Sequence, residues 1–441
     1  MQQRTKSSRS VATRIVLLGG GFAGVSTARE LERRAPADAC ITLVNRENFQ
    51  LFTPMLPEVA GGSLDMRAIV QPLRVTLQRT QVVLGDVSAV DVAARVVTVD
   101  LGVLGSQATL PFDHLIFALG SESNTHGIAG IAEYAYELKT LPDAARLRAR
   151  VGSAFEAAAS EHDRIERDRW LRFVIIGGGF TGVEAAGELA AYLKRLHRYY
   201  PTLHDFEPEI VVVDSGERLL EHLAPAFGKR AAASLRARNV WIEIRSDVAS
   251  ADANGLSLAS GKRFETHTIV WTAGEKPAPL LKKTGLQTSE HGALIVGADL
   301  AVPGVVGIWG IGDCARIPKH GGGHVAPLAQ NAVREGRLLA RNIVATLNGK
   351  PTKPFTYRPI GMMASLGNRD AVAALPGNLM IAGFPAWLLW RAYYLGQLRG
   401  VARKLRVAGD WTVNGLFAQN VARLPWTSKR LTSEEDHAPE G

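Results

Sequence analysis

Cysteine is nearly missing from this 441-residue sequence, which contains only Cys40 and Cys314. Their separation excludes a CxxC dithiol and a zinc knuckle, and two thiols so placed make no disulfide framework, so a reducing, cytoplasmic setting is expected. An apolar signal-peptide core is absent too. The opening MQQRTKSSRS is basic and polar and runs directly into Ile15–Leu18, so secretion is not expected. Nor is there a clean membrane-spanning run, because the most apolar long stretch, Leu379–Leu398, is interrupted by Pro385 and Arg391. The charge excess is modest, 51 Lys and Arg against 42 Asp and Glu, and much of it sits at the two ends. No nucleic-acid recognition motif accompanies it, which argues against nucleic acid as a partner. His320-Gly-Gly-Gly-His324 brings no third ligand and reads as a connecting loop rather than a metal site. Cys314 reads as a small core residue rather than a nucleophile.

A chain of this length suggests two or three domains, and 46% hydrophobic residues suffice for packed cores. Near the start, Arg14-Ile-Val-Leu-Leu-Gly-Gly-Gly-Phe-Ala-Gly24 reads as a short buried strand, a glycine loop and a helix through Val25–Arg34. Gly19, Gly21 and Gly24 have GxGxxG spacing, with Phe22 and Ala23 inside the loop. The first glycine permits the tight turn, the second lets backbone approach a pyrophosphate, and the third brings helix against strand. The phosphate is then left at the positive end of the helix. One such loop is a common turn. A second copy, Leu171-Arg-Phe-Val-Ile-Ile-Gly-Gly-Gly-Phe-Thr-Gly-Val-Glu184, repeats strand, glycines (Gly177, Gly179, Gly182) and helix, and so predicts two dinucleotide sites.

Each site should place an acidic residue at the end of its next strand to accept hydrogen bonds from the adenosine ribose. In the second unit Glu209-Ile-Val-Val-Val-Asp214 provides it, and Asp214 would repel a 2′-phosphate. NADH is therefore favoured, while nearby Arg218 leaves NADPH open. In the first unit the strand Ala39–Val44 ends in Asn45, followed by Arg46 and Glu47. Asn45 can still accept one hydrogen bond but without charge assistance. Far downstream, Gly307-Ile-Trp-Gly-Ile-Gly-Asp-Cys-Ala315 brings Gly312 and Asp313 to a helix-leading turn, where the carboxylate can take a ribityl hydroxyl. This pattern assigns FAD to the first loop and NAD to the second. Leu115–Gly120 and Ile269–Gly274 read as the chain's exits from each nucleotide domain, which makes Gly120 and Gly274 further lining positions.

The expected fold is α/β, with two Rossmann-like dinucleotide-binding domains, for FAD and NAD, plus a C-terminal amphipathic helical membrane-association region. The FAD domain is expected from 11–140 and 290–346, the NAD domain from 141–289, and the tail region from 347–441. Polar Ala154–Asp168 is expected to cover the helical lead into the second unit.

With these pieces in place, the chain resembles the type II NADH dehydrogenases, single-subunit NADH:quinone oxidoreductases that do not pump protons. The likeness spans nearly the whole chain. It is carried by GGGFAG, by Phe52-Thr-Pro-Met-Leu-Pro-Glu-Val-Ala60, by GGGFTGVEAAGEL from Gly177 to Leu189, by GIGDCA, and by Ala326-Pro-Leu-Ala-Gln330 with its helix. The resemblance implies that hydride passes from nicotinamide to flavin, NAD⁺ leaves, and both electrons then go to a quinone. It implies that Glu184, on the first helical turn after the second loop, orients nicotinamide and assists proton movement. The same position also suits a carboxylate at a helix N-terminus for purely structural reasons. The family's quinone pocket is marked by an AQxxxQ helix, read here as Ala329-Gln330-Asn-Ala-Val-Arg334, with arginine in place of the second glutamine. Gln330 would hydrogen-bond a quinone carbonyl, and Arg334 adds a permanent charge. Both also fit polar positions on an amphipathic helix.

From Ala386 onward, Trp387, Trp390, Tyr394, Leu398, Val401 and Leu405 recur at helical spacing, with Arg391, Arg399, Arg403, Lys404 and Arg406 at other positions. This predicts one amphipathic basic helix lying on the membrane surface at the cytoplasmic face, with Gly396 and Gly400 weakening it. Packing against another subunit is the alternative for such a stripe, and a homodimer stays open. Two other functions remain: a soluble NAD(P)H reductase of another acceptor, and a non-catalytic FAD and NAD(H) sensor. Disulfide and sulfide:quinone reductases need catalytic cysteines that this chain lacks.

Overall fold

The computed structural model describes residues 12–102, 105–357, 361–377 and 379–417. The basic opening MQQRTKSSRS and the last part of the expected tail, 418–441, lie outside the described residues. The chain divides between two compact units. One is drawn from Met1–Gln50, Gln71–Glu122 and Glu275–Arg358, the other from Leu51–Val70, Ser123–Gly274 and Pro359–Gly441.

The first unit is built on a five-stranded parallel sheet in the order Ile308–Gly310, His114–Phe117, Arg14–Leu18, Cys40–Asn45, Gln81–Leu84. Central strands covered on both faces read as continuous apolar runs, and Ile15, Val16, Leu17 and Leu18 are accordingly all buried. The helices Phe22–Arg34 and Ala329–Leu347 pack against each other. They approach closely because position 336 is glycine: a Cβ there would lie 2.6 Å from the Ala23 carbonyl oxygen. An antiparallel sheet of Asp86–Asp91, Val96–Asp100 and Gln107–Pro111 completes the unit's main elements.

The second unit repeats the plan. Its parallel sheet runs Ala135–Glu137, Thr268–Trp271, Arg172–Ile176, Glu209–Val213, Val240–Glu243. Ala154–Asp168 falls on two helices, Leu141–Ser160 and Arg164–Leu171. The first is opened by a reciprocal cap, in which the Thr140 hydroxyl accepts from the Asp143 amide and the Asp143 carboxylate accepts from the Thr140 amide. Two antiparallel sheets are added, one of them Met362–Gly367, Asp370–Leu375 and Leu379–Ala382.

The unit boundaries differ from those expected from sequence. Residues 51–70 and 123–140 belong to the second unit, 275–289 and 347–358 to the first, and the tail from 359 onward joins the second unit instead of forming a third region. The cause is a shared core. Met55, Leu56 and Val59, Leu189 and Leu193, and Trp390, Leu398 and Trp411 are buried in one apolar cluster.

The tail also corrects the expectation of one amphipathic helix. The chain forms two, Phe384–Gln397 and Val401–Leu416, separated where Leu398 is extended and Gly400 adopts φ +84°. That break turns the stripe inside out. Trp390 and Leu398 are 1% and 3% exposed, whereas Val401 and Leu405 are 74% and 68% exposed. Arg391, expected on the polar face, is instead partly buried with its guanidinium 3.9 Å from the Trp387 ring centroid and 4.4 Å from that of Trp411.

The strand Met362–Gly367 crosses the helix Phe180–His197 where both carry glycine. A Cβ on Gly187 would lie 2.2 Å from the Leu366 carbonyl oxygen, and one on Gly367 2.2 Å from the Gly187 oxygen. Alanine at 187 gains intrinsic helix propensity of up to about 1 kcal/mol, yet overpacking against backbone costs about 1–3 kcal/mol. Gly187→Ala is therefore expected to lower the thermal midpoint, and an unchanged or raised midpoint would show that this crossing is loosely packed.

Candidate functional site

In the first unit the strand Arg14–Leu18 delivers the glycine loop to its helix. Gly19 has φ +106°, and a Cβ on it would sit 2.2 Å from the Ala118 carbonyl oxygen. A Cβ on Gly24 would lie 1.9 Å from the Gly19 oxygen, so the third glycine seats the helix on the loop. Gly21 caps the helix with no side chain bonded to the first turn, and a Cβ there would meet nothing within 4 Å. The space in front of the helix N-terminus is thus open on the side where an anion is attracted. Gly312, with φ +71°, comes beside Ala23, 3.3 Å from a built Cβ to the Ala23 Cβ, so the downstream turn and the glycine loop meet. That turn is a single 3-10 turn, Gly312–Cys314, followed by a short strand rather than a helix, which corrects the expected helix-leading geometry. A cavity of about 310 Å³ is lined here by Gly312, Asp313, Arg316, His324, Ala332 and Glu335. An open helix N-terminus, a loop whose glycines leave no side chain in the way, and an acidic turn beside them fit FAD.

Asn45 does not wait for a nucleotide with a free amide. Its Oδ1 accepts from the Gly20 amide at 2.7 Å, and its Nδ2 donates to the Glu47 carbonyl at 2.8 Å. Arg46 pairs with Asp86 at the surface. Gly120, with φ +67°, has open space around a built Cβ.

The second unit repeats the geometry. Gly177 has φ +117°, a Cβ on Gly182 would lie 1.8 Å from the Gly177 oxygen, and Gly179 faces open space. Asp214 grips its loop as Asn45 does, accepting from the Gly178 amide with one oxygen and from the Gly216 amide at 2.8 Å with the other. Strand-end residue and middle glycine are thus paired in both units. Gly274, with φ +77°, is pressed against His126 and the Asn124 carbonyl. Arg218 donates to the carbonyls of Glu221 and Leu223.

Glu184 stands on the second turn of Phe180–His197, one turn later than expected. It is 8% exposed, and its Oε1 accepts from the Ser365 amide at 2.9 Å. Burial pushes its carboxyl up to about 8, against the pull of that hydrogen bond. The FTPMLPEVA motif forms a 3-10 turn, Thr53–Met55, and a short buried helix, Leu56–Ala60, against the same long helix.

On the helix Ala329–Leu347, Ala329, Gln330 and Arg334 are half-buried, and Gln330 and Arg334 lie four residues apart on one face. The buried face carries Glu335, which sequence reasoning missed. Its Oε2 accepts from the Gly312 amide at 2.8 Å, and burial raises its carboxyl to about 7. Glu58 and Glu188 were missed as well; an acid flanked by the buried Leu56, Val59 and Ala60 was the available signal. Cys314 is fully buried, burial pushes its thiol up to about 12, and it donates to backbone carbonyls. His324 accepts from Arg316 at 2.8 Å.

Residues 13–336 match the family model of the pyridine nucleotide-disulphide oxidoreductases, and 360–420 match the NDH2 C-terminal domain. The type II NADH:quinone oxidoreductase Ndh of Mycobacterium tuberculosis is 32% identical, over 91% of this chain and 88% of its own length. The demethylphylloquinone reductase NdbB of Synechocystis is 29% identical over 91% of this chain and 96% of its own. Among solved structures, NDH2 of Plasmodium falciparum in complex with NADH superposes with a TM-score of 0.86, at 19% identity, covering 93% of this chain and all of that one.

Proposed function

The chain belongs to the pyridine nucleotide-disulphide oxidoreductase family and within it to the type II NADH:quinone oxidoreductases, and we propose that it works as one at the cytoplasmic face of a membrane. Electrons pass from NADH to a quinone. FAD supplies the two-electron carrier between them.

The residues divide the work. The Phe22 helix N-terminus and Gly21 would hold the flavin pyrophosphate, with Asp313 on the ribityl chain. Gly179 and the Phe180 helix N-terminus would hold that of NADH, and Asp214, fixed by two backbone amides, would take the ribose and exclude a 2′-phosphate. Glu184 would orient nicotinamide and hold a transferable proton on its buried carboxyl. Gln330 would donate to a quinone carbonyl, with Ala329 shaping that wall and Arg334 steadying the charge that develops on the acceptor. The observation that carries the reading is the pair of loops whose second glycines both face open space. Purified holoenzyme in detergent should oxidise NADH in proportion to added quinone and only slowly oxidise NADPH. Turnover with a soluble protein acceptor but none with quinone would favour the soluble-reductase alternative.

Among the described residues, no helix is long and apolar enough to cross a membrane. Surface attachment is supported by the tail helices, which expose Phe384, Leu388, Val401, Leu405 and Arg406, with Arg403 and Lys404 half-buried beside them. Val401 and Leu405 share one face, so Val401→Glu with Leu405→Glu should weaken sedimentation with anionic liposomes by more than about tenfold. Binding that survives both changes would remove the tail from this role.

A further inference from the structure

A second group of titratable side chains lies behind Glu184, entirely within the second unit. Glu58, from the FTPMLPEVA helix, is 3% exposed. Glu188, one turn beyond Glu184, is buried as well, at 7% exposed. Gly61 makes the approach possible, since a Cβ there would lie 2.8 Å from the Glu188 Cβ. Two hydroxyls bracket Glu188: Ser63 Oγ is 3.1 Å from its Oε2 and Ser365 Oγ is 3.5 Å from its Oε1. The backbone amide of that same Ser365 holds Glu184. The tail closes the other side, with Trp411 Nε1 donating to Glu58 Oε1 at 3.2 Å and Asn414 Nδ2 to the Ser63 carbonyl at 2.9 Å. Glu58 Oε2 is buried and has no hydrogen-bond partner among the described residues.

The charges around the pair are Glu184 and Arg195 from the long helix, Arg391 from the tail and Arg238 beyond the Pro225–Arg236 helix. Tyr394 faces Glu184. Burial and the neighbouring Glu188 hold the Glu58 carboxyl well above the usual carboxylate range, while the arginines nearest Glu188 oppose its own rise. Two carboxylates this enclosed cannot both ionise readily, so the pair holds a shared proton.

We propose that Glu58 and Glu188 form a buried proton store that reprotonates Glu184, one helical turn from Glu188, during quinone reduction. The inference rests on the role given to Glu184 above. Reduction of a quinone by NADH consumes NADH, the quinone and one proton, and yields NAD⁺ and the quinol. The hydride carries both electrons and one proton, and the second proton comes from solution. When Glu184 gives its proton to the quinone being reduced, its carboxylate takes one from Glu188, four residues on along the same helix face. Glu188 is replenished from Glu58, and Glu58 from solvent, so no charge accumulates over a turnover. Glu58 and Glu188 are positioning and proton-holding residues. They need not touch substrate.

Glu58→Gln separates this role from simple anchoring. Glutamine matches the shape of the neutral acid and can still accept from Trp411 through Oε1, but it cannot release a proton at this site. The comparison is made on holoenzyme by anaerobic mixing, first with NADH and then with a short-chain quinone, from about pH 6 to about pH 9. NADH should bleach the flavin absorbance at an unchanged rate. Recovery on adding quinone should be near normal at about pH 6 and about tenfold slower at about pH 9, where solution protons no longer compensate. If Glu58→Gln does not fold, Glu188→Gln is read in the same way. Recovery with the rate and pH profile of the unaltered protein overturns the proposal. Unaltered protein that NADH does not bleach, or that quinone does not restore, would instead overturn the proposed function, so the two failures are distinct.

Discussion

Gly179→Val should give a yellow, fully folded protein that NADH no longer bleaches at ordinary concentrations, and Gly21→Val a folded protein without colour. The expectation comes from where each side chain would go. Both glycines have extended backbone, φ −75° at Gly179 and −77° at Gly21, which valine adopts without strain. A Cβ at either position meets no protein atom within 4 Å, so the thermal midpoint of the ligand-free fold should barely move. The added methyls project into the space a pyrophosphate would need. A clash of about 3 kcal/mol corresponds to about 100-fold weaker binding. The contrast is with Gly24→Val and Gly182→Val, whose Cβ atoms would lie 1.9 and 1.8 Å from carbonyl oxygens of their own loops. Those should destabilise the fold itself. Flavin retained by Gly21→Val, or NADH bleaching kept by Gly179→Val, would mean that the phosphates are not held at these helix ends.

The second large effect is expected at Glu184. Glutamine there keeps the Ser365 hydrogen bond and the shape of the neutral acid, yet quinone turnover should fall by about 100-fold if a proton is held and moved at this carboxyl. With its carboxyl pushed up to about 8, Glu184 is mostly protonated at neutral pH and ionises as pH rises through that value. A donor of this kind loses activity as pH rises past about 8, and the glutamine variant should lack that limb. Stability has the same sign. The native state keeps a proton that the unfolded chain gives up near the ordinary value of 4.5. Its contribution is therefore complete below that value and is lost as pH rises to about 8. Glu58 and Glu188 shift in the same direction, so Glu184→Gln should flatten the decline of the thermal midpoint over this range without abolishing it. Turnover within about twofold of the unaltered protein would leave Glu184 a buried structural acid.

What the sequence made legible follows from local rules. Each glycine loop sits between a buried strand and a helix, and its three glycines have separate steric duties that recur in order, so both cradles could be located from spacing alone. Asp214 followed from its strand. Asn45 was placed correctly at the end of its strand, but its contact with Gly20 was not legible, because periodicity does not say whether a side chain turns toward a ligand or back onto its own loop. The tail is the instructive failure. Helical spacing runs unbroken through Gly400, yet a positive φ at that glycine reverses which residues face the core, and a stripe counted across the break mixes Trp390 with Leu405. The acids were hidden for a different reason. Glu58, Glu188 and Glu335 lie in helices where glutamate is ordinarily a solvated residue, and only long-range packing buries them.

The central claim is that one chain takes two electrons from NADH onto a bound flavin and passes them to a quinone. Sequential anaerobic mixing of the purified yellow protein tests it most directly: NADH should bleach the flavin absorbance in one fast phase, and a following quinone should restore it in full. Protein that is colourless and takes up no added FAD, or flavin that stays bleached in the presence of quinone, would contradict the account.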